Sequence, residues 1–289
     1  MADAGWGHVV LFILFVTESV LAELDMGYKM NYSDKVILVT GASSGIGAAT
    51  ALTLAKYNNR IILTARREHL LKQVAEQIIS AGSDCIYSCG DATDEKHAEH
   101  VVNEIISNYG RIDIAILNVG IGPPSNTLTA SAESIKYCLE ANYYSFINFY
   151  CHLIKQMKSQ TQPCMIAHMN SQATWFGIPM QGDYTAAKAA ARIFIDTARM
   201  ELKHFGIKNI KLQSIHPGFV DTEAVRDDGI PTPNEISEAK AAEYVLKGLR
   251  REMRENIFPP GTKWATLLGK VLPHWLLTNI LLSQTPAEY

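Results

Sequence analysis

The chain has 289 residues, a formal net charge of −3 and a hydrophobic content of 47%. That is ample apolar material for one large domain, and the small negative balance excludes the broad basic face that binding to nucleic acid requires. Five cysteines, Cys85, Cys89, Cys138, Cys151 and Cys164, form no C-x-x-C pair and match neither a disulfide framework nor a zinc site. They read as reduced thiols of a reducing, cytoplasmic compartment, with no metal centre expected.

Residues 1–30 stand apart. The apolar run from Val9 to Val16 is shorter than the ~20 residues of a membrane span, and Asp3 precedes it where a signal peptide would carry Lys or Arg. Three readings stay open: an anchor or signal, a helix packed on the body, or sequence ahead of a start at Met26 or Met30.

From residue 31 to about 260, apolar strand-like runs alternate with amphipathic helical stretches. "KVILVT" (35–40) is followed by "GASSGIG" and a helix to about Tyr57, and "RIILTA" (60–65) by a helix that a glycine ends. "DCIYSC" (84–89) and "IDIAILNVG" (112–120) follow with a helix between them, then a long helix from Ser131 to Met157. "PCMIAHMNS" (163–171), a helix from Tyr184 to Phe205, and "IKLQSIHPG" (210–218) complete six strands. A Pro/Asp/Gly-rich stretch (221–234) has the composition of a lid, and a helix near 236–253 and short "NIFPP" follow. Nearly continuous apolar strands alternating with helices predict a doubly wound, Rossmann-type parallel sheet in a single α/β domain, with ligands beyond the strands' carboxyl ends. The tail, 261–289, is strongly apolar but interrupted by Lys270, Pro273 and His274. Packing on the body, an oligomer contact and peripheral membrane contact are all compatible with it.

"TGASSGIG" (40–47) lies between a strand and a helix, where Gly41, Gly45 and Gly47 allow a tight turn. The backbone N–H groups around Ser43, Ser44 and Ile46 can then approach a pyrophosphate at the positive end of the helix. The spacing Gly41-x3-Gly45-x-Gly47 resembles the glycine motif of the short-chain dehydrogenase/reductase family in its compact branch. "ILNVG" with Asn118, "EANYYS" with Asn142, "MNSQA" with Ser171, "DYTAAK" with Tyr184 and Lys188, and "HPGFVDT" with Pro217, Val220 and Thr222 follow in that family's order, over roughly residues 34 to 260. Leu117 departs from the usual first asparagine of the "ILNVG" segment.

The resemblance implies a nicotinamide cofactor held by the glycine turn, Asp91, Asn118, Tyr184, Lys188, Pro217, Val220 and Thr222. NAD-binding relatives place a carboxylate at the end of the second strand to hold the ribose 2′-hydroxyl. Here Ala65, Arg66 and Arg67 stand instead. Guanidinium suits a 2′-phosphate, so NADP(H) is favoured, with NAD(H) possible, and Arg66 is the candidate contact.

Reducing a ketone requires hydride at carbon and a proton at oxygen. A tyrosine of pKa ~10 holds its proton too tightly near neutrality, but an ammonium within ~4–6 Å lowers it by one to three units. Lys188 lies one helical turn from Tyr184, on the same face. Ser171 would donate to the substrate oxygen. Asn142, a poor helix former in a helical stretch, supports a water relay to the lysine in relatives. Asp183 is expected to face solvent, and His168 and His216 to be packed rather than to bind metal.

"QATWFGIPMQG" after Ser171 supplies an apolar wall, with Trp175 as the candidate substrate contact and Phe219 closing the other side. The expected activity is an NADP(H)-dependent carbonyl reductase or alcohol dehydrogenase for a hydrophobic ketone or secondary alcohol. An NAD-linked hydroxysteroid or hydroxy-lipid dehydrogenase is the alternative. A non-catalytic NAD(P)-sensing protein is disfavoured by the complete Ser171/Tyr184/Lys188 set. The resemblance also implies a homodimer or homotetramer formed through two long helices.

Overall fold

The fold was taken from a computed structural model that describes residues 30–223, 232, 234–283 and 285. The leader and most of the 221–234 stretch lie outside the described residues. Seven parallel strands form one sheet: β1 (Val36–Thr40), β2 (Arg60–Ala65), β3 (Asp84–Cys89), β4 (Ile114–Leu117), β5 (Cys164–Met169), β6 (Ile210–Pro217) and, after a short pair to be named below, β9 (Glu255–Phe258). Their order is β3-β2-β1-β4-β5-β6-β9. The six expected strands are all present, and the short "NIFPP" stretch contributes the seventh, at the sheet edge beside β6. β1 has no exposed residue, as a strand covered on both faces requires.

Helices α1 (Gly45–Leu54) and α2 (Glu68–Ser80), with α7 (Glu238–Arg251), cover one face of the sheet. Helices α3 (Glu95–Tyr109), α5 (Ser145–Lys158) and α6 (Gly182–His204) cover the other. The winding reverses between β1 and its neighbours β2 and β4, which opens a crevice at the carboxyl ends of β1 and β4. Beyond β6 the chain forms a two-stranded parallel pair, β7 (Val220–Asp221) with β8 (Ile236–Ser237), that brackets the 221–234 stretch.

The long helix expected from Ser131 to Met157 is divided. α4 (Ala132–Leu139) passes into a π-helical turn, Glu140–Tyr144, before α5 begins. One such turn inserts an extra residue into the helical repeat and is common at functional sites. The apolar tail forms two helices, α8 (Pro260–Val271) and α9 (His274–Ser283), separated at Pro273. Among the described residues no helix is long and apolar enough to cross a membrane. All five cysteines are free: Cys85, Cys138 and Cys164 are buried, whereas Cys89 and Cys151 are exposed.

Candidate active site

A cavity of about 880 Å³ lies along the carboxyl ends of the strands. At one end the glycine turn leaves β1. Gly41 and Gly45 adopt φ of 63° and 62°, the left-handed region where a side chain is strained. Gly47 is required for a different reason: a Cβ there would stand 2.4 Å from the Gly41 carbonyl oxygen and 2.6 Å from Asn118 Nδ2. That close approach is fastened by the Asn118 amide, which donates to Gly41 O at 3.2 Å, while Asn118 N donates to Thr40 Oγ1. Asn118 therefore couples β4 to the turn. Gly47→Ala is expected to cost roughly 1–3 kcal/mol by overpacking against backbone, and to weaken nucleotide binding at least about tenfold. Urea unfolding and nucleotide titration test this, and full affinity in the variant would remove the close-packing account of the turn.

The cavity passes Ala65, Arg66, Arg67 and Asp91. Arg66 is exposed, with its guanidinium 3.8 Å from the Asp91 carboxylate. Arg67, which carried no separate role in the motif reading, bridges the turn: it donates to Ser44 Oγ and pairs with Glu223 at 2.6 Å. Ser43, Ser44, Ile46, Asn118, Pro217, Val220 and Thr222 also line the cavity.

At the other end stand the polar groups of β5, α6 and the π turn. Ser171 caps a 3₁₀ turn, Gln172–Thr174, by accepting from Ala173 N at 3.1 Å. With its oxygen so engaged, its O–H is left to donate, and it is close enough to the Tyr184 hydroxyl to favour the deprotonated phenol. Burial pushes the Tyr184 phenol above its ordinary 10, and the Ser171 hydroxyl works in the opposite direction. Lys188 is buried, its Nζ donating to Met169 O at 2.9 Å and lying 5.7 Å from the Tyr184 ring centre. Burial brings its ammonium down from 10.5 to about 8. The pair expected from the sequence thus shares one pocket. In the protein alone, however, desolvation of the phenol outweighs any help from the ammonium.

Asn142 sits in the π turn and is fully buried. Its amide donates to Ile121 O (2.8 Å) and Cys138 O (3.0 Å), and its Oδ1 accepts from Ile121 N (3.1 Å). Both side-chain protons are spent on backbone, so this side chain ties the loop after β4 to the helix. Gly120 makes the arrangement possible: a Cβ there would be 2.8 Å from Asn142 Oδ1 and 3.0 Å from Lys188 Nζ. The sequence reading missed Gly120, although the glycine of "ILNVG" was its signal.

Two expectations are corrected. Asp183 does not face solvent; it is buried at the first turn of α6, accepting from Tyr184 N at 2.8 Å, where a carboxylate suits the helix's positive end. Trp175 does not line the cavity. The 3₁₀ turn carries the chain round so that Phe176, Ile178, Pro179 and Met180 face inward. The Trp175 ring instead lies 5.4 Å from that of His216, with Arg192 (4.2 Å) and Lys270 (3.8 Å) over it. Met180 holds a left-handed φ of 65°, and its carbonyl accepts from Ser125 N at 2.7 Å, which pins this wall.

His168 and His216 are both fully buried. Burial, aided by the nearby Lys188 charge, holds His168 well below its ordinary value, and its ring packs on Phe146. His216 Nδ1 meets Ser171 O at 2.9 Å, and its Nε2 meets the Glu255 carboxylate. Burial raises that carboxyl, but His216 and Arg199 outweigh burial and hold it below the usual range. Among the described residues no cluster of His, Cys, Asp or Glu could hold a metal ion. Phe219 lines the cavity as expected, and so do tail residues that the sequence did not place there: Thr262, Thr266, Leu268, Gly269, Leu272 and Leu277 among them.

The doubly wound sheet, the glycine turn at its switch point and the serine, tyrosine and lysine that share its crevice define a dinucleotide-fold oxidoreductase. The chain belongs to the short chain dehydrogenase family, whose model matches residues 35–230. It is 31% identical over 271 residues to 11-beta-hydroxysteroid dehydrogenase-like 2 of Arabidopsis thaliana, a match covering 88% of this chain and 83% of that one. Its fold is similar to a short chain dehydrogenase/reductase from Burkholderia phymatum solved in complex with NAD, at TM-score 0.76 and 18% identity, over 90% of this chain and 99% of that one. It is also similar to an alcohol dehydrogenase from the archaeon Thermococcus sibiricus complexed with 5-hydroxy-NADP, at TM-score 0.69 and 24% identity, over 78% and 95%.

Proposed function

We propose that the protein is an NADP(H)-dependent reductase or dehydrogenase for hydrophobic ketones or secondary alcohols. The observation that carries this reading is the meeting of Ser171, Tyr184 and Lys188 where a nucleotide cradle passes into an apolar wall. The cradle suits a dinucleotide, because at Gly47 a side chain would collide with the backbone that forms the turn. Gly41, Ser43, Ser44, Gly45, Ile46 and Gly47 would hold the pyrophosphate, and Arg66 the 2′-phosphate. Asp91, Asn118, Pro217, Val220 and Thr222 would line the remainder of the cofactor. When bound, the nicotinamide supplies or accepts the hydride.

The chain's own groups handle the proton. Tyr184 gives its hydroxyl proton to the substrate oxygen in reduction and takes it back in oxidation. Ser171, held by its contact with Ala173 N, donates to the same oxygen and steadies the charge that develops there. Lys188 keeps a positive charge beside the phenol and stabilises its deprotonated form. Asn142 holds the loop carrying Gly120 against Lys188.

Arg66 in place of a carboxylate at the end of β2 supports NADP(H). The experiment is cofactor oxidation over ketones of increasing chain length, with NADPH and NADH compared in the wild type and in Arg66→Asp. The wild type should favour NADPH and longer apolar ketones. The variant should weaken NADPH by roughly ten- to a hundredfold, the range for a charge-assisted contact, and NADH far less. Equal losses for both cofactors would remove the assignment of Arg66. The second reading is an NAD-linked hydroxysteroid or hydroxy-lipid dehydrogenase working toward oxidation, and the name of the Arabidopsis relative supports its hydroxysteroid part. A homo-oligomer through the start of α5 and the outer face of α6 is proposed as well, because Tyr144, in the π turn just before α5, and Ile193 and Met200, on α6, are exposed.

A further inference from the structure

α9 is apolar on nearly every side, with the sequence HWLLTNILLS, yet none of its residues is buried. A helix of that composition ordinarily lies in a protein core or in lipid. α8 explains how the pair is seated. Thr262, Thr266 and Gly269 follow one another at four- and three-residue steps and are its buried residues. Gly269 meets Phe176 so closely that a Cβ there would be 2.6 Å from the ring. The opposite stripe, Trp264, Leu268 and Val271, has the same spacing and is exposed by 67%, 55% and 57%. α9 adds Trp275 at 66% and Leu282 at 55%. Together these leave five large apolar side chains of two consecutive helices uncovered, and soluble monomers rarely expose apolar surface on that scale.

Two properties of this face select its occupant. It is continuous with the cavity, because Leu268 and Ile280 are both exposed and cavity-lining, with Leu272, Leu277 and Leu281 beside them. Its own stretch of chain is also free of acid: no Asp or Glu occurs between Glu255 and Glu288, whereas Lys263 and His274 fall there in a chain whose net charge is −3. Tryptophans on an apolar face with basic neighbours match the composition of surfaces that rest in the headgroup region of an anionic bilayer. A second copy fits less well. A two-fold pairing would set the basic stretches against one another and cover the cavity mouth. α8 and α9, at 12 and 10 residues, are too short to span a bilayer.

We propose that the outer face of α8 and α9 docks on an anionic lipid bilayer, and that apolar substrate enters the cavity from the bilayer between these helices. Docking stands on the exposed face and its charge; only the route of entry rests on the apolar-substrate reading above. The test is sedimentation of the full-length chain with vesicles of equimolar phosphatidylcholine and phosphatidylglycerol, and with phosphatidylcholine alone. The wild type should bind the mixed vesicles more strongly. Trp264→Ser with Trp275→Ser, neither of which lines the cavity, should lower that binding by about tenfold or more. Turnover of a short water-soluble ketone should be unchanged in the double variant, and turnover of a vesicle-dissolved ketone should fall. Unaltered vesicle binding would overturn the proposal, since the leader or another face would then hold the membrane. A variant that passes from dimer to monomer in size-exclusion chromatography with its vesicle binding intact would overturn it in favour of a second copy. If neither protein reduces any ketone but the variant loses vesicle binding, docking is upheld and the catalytic reading is the one that fails.

Discussion

Tyr184→Phe is expected to lower turnover by about a thousandfold while leaving nucleotide affinity within a few-fold of the wild type. The substitution removes one oxygen and its proton and keeps the ring that fills the pocket. General acid–base groups contribute roughly 10²- to 10⁴-fold, so a loss in that range would assign proton transfer to Tyr184. Ser171 would lose the neighbouring hydroxyl but keep its contact with Ala173 N, so the geometry of the turn after β5 should survive. The check is NADPH consumption at saturating ketone beside NADPH titration by fluorescence. Unchanged turnover would end the catalytic reading and leave only the nucleotide cradle. A loss of turnover accompanied by an equal loss of cofactor binding would mean that Tyr184 acts through the cofactor's seat instead.

Lys188→Met should separate stability from activity. Burial brings the Lys188 ammonium in the folded protein down to about 8 from an ordinary 10.5. Below pH 8 both folded and unfolded chains carry the charge, and the folded state bears the full cost of burying it. Between pH 8 and 10.5 the unfolded chain binds more protons than the folded one, so this group makes stability rise with pH; above 10.5 the cost is gone. The whole difference is roughly 3 kcal/mol at 1.36 kcal/mol per pKa unit. Methionine is close in length and carries no charge. Against that gain stands the Met169 carbonyl, which would lose its buried donor at a cost of about 1–3 kcal/mol.

The variant should therefore be about as stable as the wild type or more so at pH 7, and its advantage should shrink by roughly 3 kcal/mol by pH 10.5. Urea unfolding of both proteins at the two pH values measures that difference, in which the other titrating groups cancel. Turnover should fall at least about a hundredfold, because no positive charge then stands beside the phenol. A stability difference that does not vary with pH would show that Lys188 is not a buried cation. Its role beside Tyr184 would then need another basis.

Much of the site was legible because its parts are local. The turn from Gly41 to Gly47 is a property of seven consecutive residues. Tyr184 and Lys188 share a helical face whatever the helix packs against, and the alternation of apolar strands with helices reports a parallel sheet before any pairing is known. Three parts were not legible, each for a stated reason. The π turn at Glu140–Tyr144 changes the phase of a helix without changing its composition, so nothing in the sequence showed that the Asn142 amide is tied to Ile121 and Cys138. Trp175 and Phe176 are adjacent, large and apolar, and only the 3₁₀ turn after Ser171 decides which one faces the cavity. Asp183 looked exposed because neighbouring helix positions point different ways, but its place at the helix start lets its carboxylate accept from Tyr184 N.

What the sequence by itself determined was the fold class, the glycine turn and the motifs that carry Ser171, Tyr184 and Lys188 to one cavity, because each is encoded in short-range spacing that backbone geometry reads directly. Only the tertiary structure decided how burial and contacts across the chain act on those groups. It moves the Lys188 ammonium down and the Tyr184 phenol up, sets Arg67 against Ser44 and Glu223, and brings α8 and α9 to the rim of the cavity. Those outcomes depend on which segments meet across the sheet, and desolvation and contact are properties of that meeting.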